Sequence, residues 1–177
     1  MKGAVAALVA VVALAGCGLN VTETPPPSGP LPTNQASLMP AFARLRASLD
    51  DALRSEAAVS LDDAPEGYRP AQPPAFVYAP RAVVKVRLPN DPNRLYVVFY
   101  AFADPASAST AGHEAARFYA GGPALVQFPA DTQFVLGQLG DLLIFSAWSP
   151  ASTSDRVAAQ AAFDVIRDFA PAIPIVP

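Results

Sequence analysis

Leu95-Tyr96-Val97-Val98-Phe99-Tyr100-Ala101-Phe102 is a run without a single polar backbone-breaking residue, and Ala103-Asp104-Pro105-Ala106-Ser107 follows it at once. β-Branched and aromatic residues in a run of this length favour a strand, and the lack of alternation makes both of its faces apolar. Such a strand either sits centrally in a sheet covered on both sides, or presents an aromatic face that awaits a partner. Asp104-Pro105 reads as a helix start, a carboxylate at the N-cap with proline in the first turn.

Upstream, Ala82, Val84, Val86 and Leu88 alternate with Arg81, Lys85 and Arg87, the period of two expected of a half-buried strand. Pro89-Asn90-Asp91-Pro92-Asn93 supplies the turn between the two strands. Downstream, Ala111, Ala115, Phe118 and Tyr119 form the inward stripe of a helix, with Gly121-Gly122-Pro123 as its end.

The order then recurs. Residues 132–139 and 142–148 read as strands joined at Gly140-Asp141, and a helix is expected from about Ala151 to Phe169 with Ala158, Ala162, Val165, Ile166 and Phe169 inward. The two strand-to-helix junctions echo each other, through either duplication or shared helix-start chemistry. Two strand-strand-helix units side by side give an α+β fold. The expected form is a two-layer sandwich, an antiparallel sheet of four or five strands with two helices on one face. Leu38, Phe42, Leu45, Leu49 and Leu53 add an N-terminal amphipathic helix starting near Pro40, with Arg46, Asp50 and Arg54 on its outer side. This helix, or the Phe76-Val77-Tyr78 segment, is the expected cover for the second sheet face. Left uncovered, that face is the expected binding surface.

The amino terminus carries a different kind of information. Met1-Lys2 is followed by an unbroken run of Ala, Val and Leu from Ala4 to Ala15, the length of a signal-peptide core, and then by Leu14-Ala15-Gly16-Cys17. Gly3 to Leu19 falls short of the roughly 20 residues a membrane span needs. The tetrapeptide resembles the lipobox of bacterial lipoproteins, a likeness confined to the first seventeen residues. It implies signal-peptidase recognition through Leu14, Ala15 and Gly16, a cut before Cys17, and a diacylglyceryl group on the Cys17 thiol, with the new amino group open to acylation. The implied partners are the lipoprotein maturation enzymes and the membrane itself. The implied location is the cell membrane or the outer membrane, facing the periplasm or the exterior. Gly18 stands where an aspartate would signal inner-membrane retention.

Three segments follow from this: a signal peptide at 1–16, a Pro-rich tether at 17–37, and a single α+β domain at 38–177 with its core at about 80–170. Pro25-Pro26-Pro27 and Pro30 favour extended polyproline II, a spacer between bilayer and domain.

Composition narrows the function. The chain of 177 residues is 52% hydrophobic with a net charge of −3, and losing Lys2 with the leader leaves 11 basic against 15 acidic side chains, a net of −4. An acidic chain argues against nucleic acid, whose phosphates demand a basic surface. Cys17 is the only cysteine, so no intramolecular disulfide forms, and His113 is the only histidine. Zinc needs more Cys and His ligands than these, and Asp50-Asp51 and Asp62-Asp63 lack the spacing of a calcium loop. No catalytic residue, metal site or cofactor is therefore expected. His113 lies opposite the inward stripe of its helix, and Glu114, Asp131 and Asp141 are the carboxylates left to converge. Tyr96, Tyr100 and Trp148 are the candidate contacts for a ligand or partner, with Phe102 beside them. The expectation is a non-enzymatic binding module recognising an envelope protein, a glycan or an apolar ligand. The alternatives are an envelope enzyme with a carboxylate or serine site, and a structural spacer or assembly component.

Overall fold

The computed structural model describes residues 35–64, 70–91 and 95–176. The leader, Cys17 and residues 18–34 of the tether lie outside them.

Helix α1 spans Gln35–Glu56, with Pro40 inside it, and β1 spans Leu61–Asp63. The short α2 (Pro74–Val77) precedes β2 (Arg81–Val86) and β3 (Tyr96–Ala101). Then come α3 (Pro105–Ala120), α4 (Gly122–Gln127), β4 (Gln133–Leu139), β5 (Leu142–Trp148), a 3-10 turn at Pro150–Ser152, and α5 (Arg156–Asp168). The strands form one open antiparallel sheet in the order β1-β2-β3-β5-β4. The α+β class is as expected, and β3 is the central strand that its sequence describes.

The helices are distributed differently from the expectation of two on one face. One core joins Leu49 and Leu53 of α1 and Ala162, Phe163 and Ile166 of α5 to Val84, Val97, Phe99, Ile144 and Trp148 of the sheet. The other joins Phe76, Ala111, Ala115 and Tyr119 to Val98, Tyr100, Leu136, Leu143 and Phe145. Thus α1 and α5 cover one face, α2, α3 and α4 cover the other, and among the described residues neither sheet face is left open as a binding surface. Strand pleat is the reason. Phe102, leaving β3, packs on the α3 face, whereas Trp148, the last residue of β5, points to the α5 face. Both strands are apolar on both sides, so hydropathy alone cannot reveal this parity.

The arrangement also decides the meaning of the echoed junctions. A two-fold axis normal to the sheet exchanges antiparallel neighbours such as β3 and β5 but keeps both helices on one face. With α3 and α5 on opposite faces, no rotation within the sheet relates the two units. The resemblance is limited to a proline in a first turn, that of α3 in one unit and that of a 3-10 turn in the other. At the first junction the Asp104 carboxylate accepts from the Ser107 N–H at 2.8 Å. At the second, Pro150 opens only a 3-10 turn, and α5 begins at Arg156 rather than near Ala151.

Both sheet edges are protected. β1 is three residues long and carries Asp62 and Asp63. Along β4, Gly137 pairs with Ala172, the Gln138 N–H donates to the Pro171 carbonyl at 2.9 Å, and the Ile173 N–H donates to the Leu136 carbonyl at 2.8 Å. This segment rounds the sheet edge, for Ala170 belongs to the α5-side core and Ile173 to the α3-side core.

Candidate functional site

Tyr96, Tyr100 and Trp148 do not meet at one surface. Tyr100 is fully buried on the α3 face, its ring 4.3 Å from that of Phe76 and its hydroxyl donating to Gln72 Oε1 at 3.0 Å. Phe102 stands 6.0 Å from the same Phe76 ring. Trp148 is on the opposite face, 3% exposed, with its indole Nε1 donating to Thr153 Oγ1 at 2.8 Å. Tyr96 is half-buried at the start of β3, opposite Lys85 and Ala147.

The titratable candidates are dispersed as well. His113 is exposed on α3, its Nδ1 lying 2.7 Å from the Ser109 carbonyl oxygen of the preceding turn. Glu114 is exposed beside it. Asp131 and Asp141 flank the two ends of β4, separated by seven strand residues, roughly 20 Å of extended chain. Among the described residues no three His, Cys, Asp or Glu side chains gather into a metal-binding group.

What the fold does assemble lies at one end of the sheet, where β2 and β5 finish. Asp131 accepts from the Ser149 hydroxyl at 2.7 Å and from the Ala151 N–H at 2.6 Å. These two donors, the hydroxyl foremost, hold its carboxyl below the usual carboxylate value. Ser149 Oγ also lies 3.0 Å from Ser152 Oγ. Ser149 therefore sits against an ionised carboxylate that braces the 3-10 turn, with the chain's only histidine on another element. Nearby, Asp155 Oδ2 accepts from the Asn90 N–H at 3.1 Å, and Asp91 Oδ2 accepts from the Ser154 N–H at 3.1 Å. The β2–β3 connection is thereby fastened to the start of α5.

Two concavities border this network. A cleft of about 310 Å3 is lined by Arg54, Val59, Ser60, Arg87 and Pro89. Both guanidinium groups already face carboxylates, Arg54 Nε to Asp50 Oδ2 at 2.7 Å and Arg87 Nη2 to Asp62 Oδ2 at 3.0 Å. That pairing leaves the cleft close to electrically balanced. The second is a shallow groove along α5, with Trp148, Pro150, Val157 and Ala161 as its apolar floor and Arg156, Gln160 and Asp164 as its polar margin. Val157 is 85% exposed, which is unusual for a valine on an amphipathic helix. An apolar floor with a charged margin suits contact with another molecule rather than acid–base chemistry.

The cleft joins the end of α1 to the chain after β2, so no local motif announces it, whereas the groove comes from the single stretch 148–164. The visible trace of the groove is Val157 itself, an apolar side chain at a position where the stripe of α5 calls for a polar one. Neither the models of known protein families nor the curated proteins and solved structures searched contain a match to this chain.

Proposed function

We propose that this protein is a bacterial envelope lipoprotein, held at the membrane through acyl chains on Cys17, whose α+β domain is a non-enzymatic binding module. The reading rests on one observation, the tetrapeptide Leu14-Ala15-Gly16-Cys17 placed directly after an apolar leader core. Two further features agree with it. Prolines crowd the stretch between Cys17 and the first described helix, as a spacer requires. The sheet is covered on both faces, and no helix among the described residues is long and apolar enough to cross a membrane. Two or three acyl chains on Cys17 and its amino group together give a stable anchor where one does not. Contact with an envelope protein, a glycan or an apolar ligand is assigned to the α5 groove, the floor of which includes the edge of Trp148 and the exposed Val157.

Intact mass of the protein extracted from its native membrane tests the anchor. The expected product begins at Cys17 and carries at least two acyl chains, and a Cys17→Ala form moves to the aqueous phase on detergent partitioning. A product that begins at Met1, or one with an unmodified thiol, overturns the reading. The groove is tested separately. Val157→Glu should abolish co-purification of a partner from detergent-solubilised membranes while leaving Cys17 acylation unchanged.

A further inference from the structure

The edge strand β4, Gln133-Phe134-Val135-Leu136-Gly137-Gln138-Leu139, carries no charge and no proline. An uncovered strand of that composition is a template for pairing with another chain. Its protection is the segment Ala170–Ile173, fastened by the two backbone hydrogen bonds at Leu136 and Gln138.

The seat of that segment is built into the fold at two glycines. At Gly137, a Cβ would come within 2.9 Å of the Ala170 Cβ and 3.5 Å of the Ala170 and Pro171 carbonyl oxygens. At Gly112 on α3, a Cβ would collide with Ile173 Cδ1, while Leu143 closes the other side of the same socket at 3.4 Å. Pro171 within the segment and Pro174 just after it have no N–H to donate, which makes the segment a poor template for a further strand.

We propose that Ala170–Ile173 is a latch over an association-competent edge, and that when it lifts, β4 pairs with the β4 of a second copy of this chain. Antiparallel pairing about a two-fold axis is self-complementary, since a residue i that faces residue j of the second copy has its own copy faced by j in return, and it fills the edge groups that the latch vacates. The second copy is favoured over an unrelated strand because its edge is the identical uncharged sequence. This inference concerns the domain alone and is independent of the acylation of Cys17.

The test is Ile173→Asp in the full chain, held in detergent micelles and followed by sedimentation and amide exchange. The expected variant keeps its far-ultraviolet circular dichroism and the blue-shifted emission of Trp148. Its self-association tightens by roughly thirtyfold or more, the factor set by losing one buried isoleucine from the latch. The Gln138 amide exchanges rapidly when dilute and regains protection at concentrations where dimer forms. Excess synthetic peptide spanning residues 170–176 returns the variant to monomer. Ile173→Ala, which introduces no charge, decides the matter should the aspartate variant fail to fold. A folded variant that stays monomeric at all concentrations overturns the proposal. So does global unfolding of both variants, because the segment is then an inseparable part of the core.

Discussion

The indole Nε1 of Trp148 donates to Thr153 Oγ1 at 2.8 Å, a buried bond that draws the chain leaving β5 toward the face on which α5 packs. The Thr153 hydroxyl in turn lies 3.3 Å from the Ser149 carbonyl, so the turn at residues 149–153 closes around the tryptophan. Thr153→Val keeps the shape and removes the acceptor. The buried N–H is then left without a partner, at a cost of about 1–2 kcal/mol. Trp148 is the only tryptophan, so its emission reports unfolding without interference. The expected outcome is a lower denaturant midpoint with an unchanged slope. An unchanged midpoint would show that this bond does not hold the turn.

Ala58 adopts φ +53°, the left-handed region, just past the end of α1. This conformation lets both the Ala57 and the Val59 N–H reach the Leu53 carbonyl, at 3.0 and 3.3 Å. An L-residue pays about 1–2 kcal/mol for it. Glycine does not, though it loses more chain entropy on folding. The methyl group of Ala58 is exposed, so little packing is at stake. Ala58→Gly should stabilise the domain by about 0.5–1 kcal/mol, seen as a melting temperature raised by about 2–4 °C.

Asp50 links α1 to β1, accepting from the Leu61 N–H at 2.6 Å and from Arg54 Nε at 2.7 Å. Partial burial pushes its pKa upward, but the Leu61 N–H and Arg54 together outweigh that effect and leave it below the usual 3.8. Asp62 is lowered by Arg87, Asp104 by the Ser107 N–H and hydroxyl, and Asp131 by Ser149. For each, the folded pKa lies below the unfolded one. The stabilisation is therefore complete above about pH 4 and drains away as pH falls through the folded values. Asp50→Asn should cost about 1.5 kcal/mol at neutral pH. It should also flatten the acid limb of a stability-against-pH curve, and a limb of unchanged steepness would remove Asp50 from this account.

α3, α5 and β2 were legible from their periods, and β3, β4 and β5 from apolar runs rich in β-branched and aromatic residues and bounded by turn residues. The Gly140-Asp141 hairpin was legible because a Gly-Asp pair between two apolar runs signals a tight turn, and Gly140 takes φ +61° there, a conformation that glycine occupies freely. Other elements carried no local pattern. β1 was hidden because Asp62-Asp63 looks like a solvated doublet, whereas these residues form an edge strand whose carboxylates meet Arg87 and Arg46. Phe76-Val77-Tyr78 suggested a strand, but Pro74 initiates a single helical turn that drives Phe76 into the core. Gly121-Gly122-Pro123 ends α3 and also begins α4, as a proline in a first turn permits. Tyr100 and Trp148 fit core and contact roles equally well by residue type. Only strand parity, invisible in a run apolar on both faces, separates them onto opposite sides of the sheet.

Tyr119 shows how one α3 residue serves two functions in the core. Its ring stacks on Phe145 with centroids 4.4 Å apart and planes 13° from parallel, and Phe134 lies 5.2 Å away on a second, more tilted contact. Its hydroxyl donates to the Ala71 carbonyl at 3.1 Å, tying α3 to the chain that leads into α2. Tyr119→Phe keeps the stack and loses that bond, an expected cost of about 1 kcal/mol. Tyr119→Leu loses the bond and the stack, adding about 0.5–1.5 kcal/mol for the aromatic contact beyond the area it buries. If the ring is what holds α3 against the sheet, amide exchange in α3 accelerates much more in the leucine variant than in the phenylalanine variant. Equal acceleration in both would assign the holding role to the hydroxyl and its bond to Ala71.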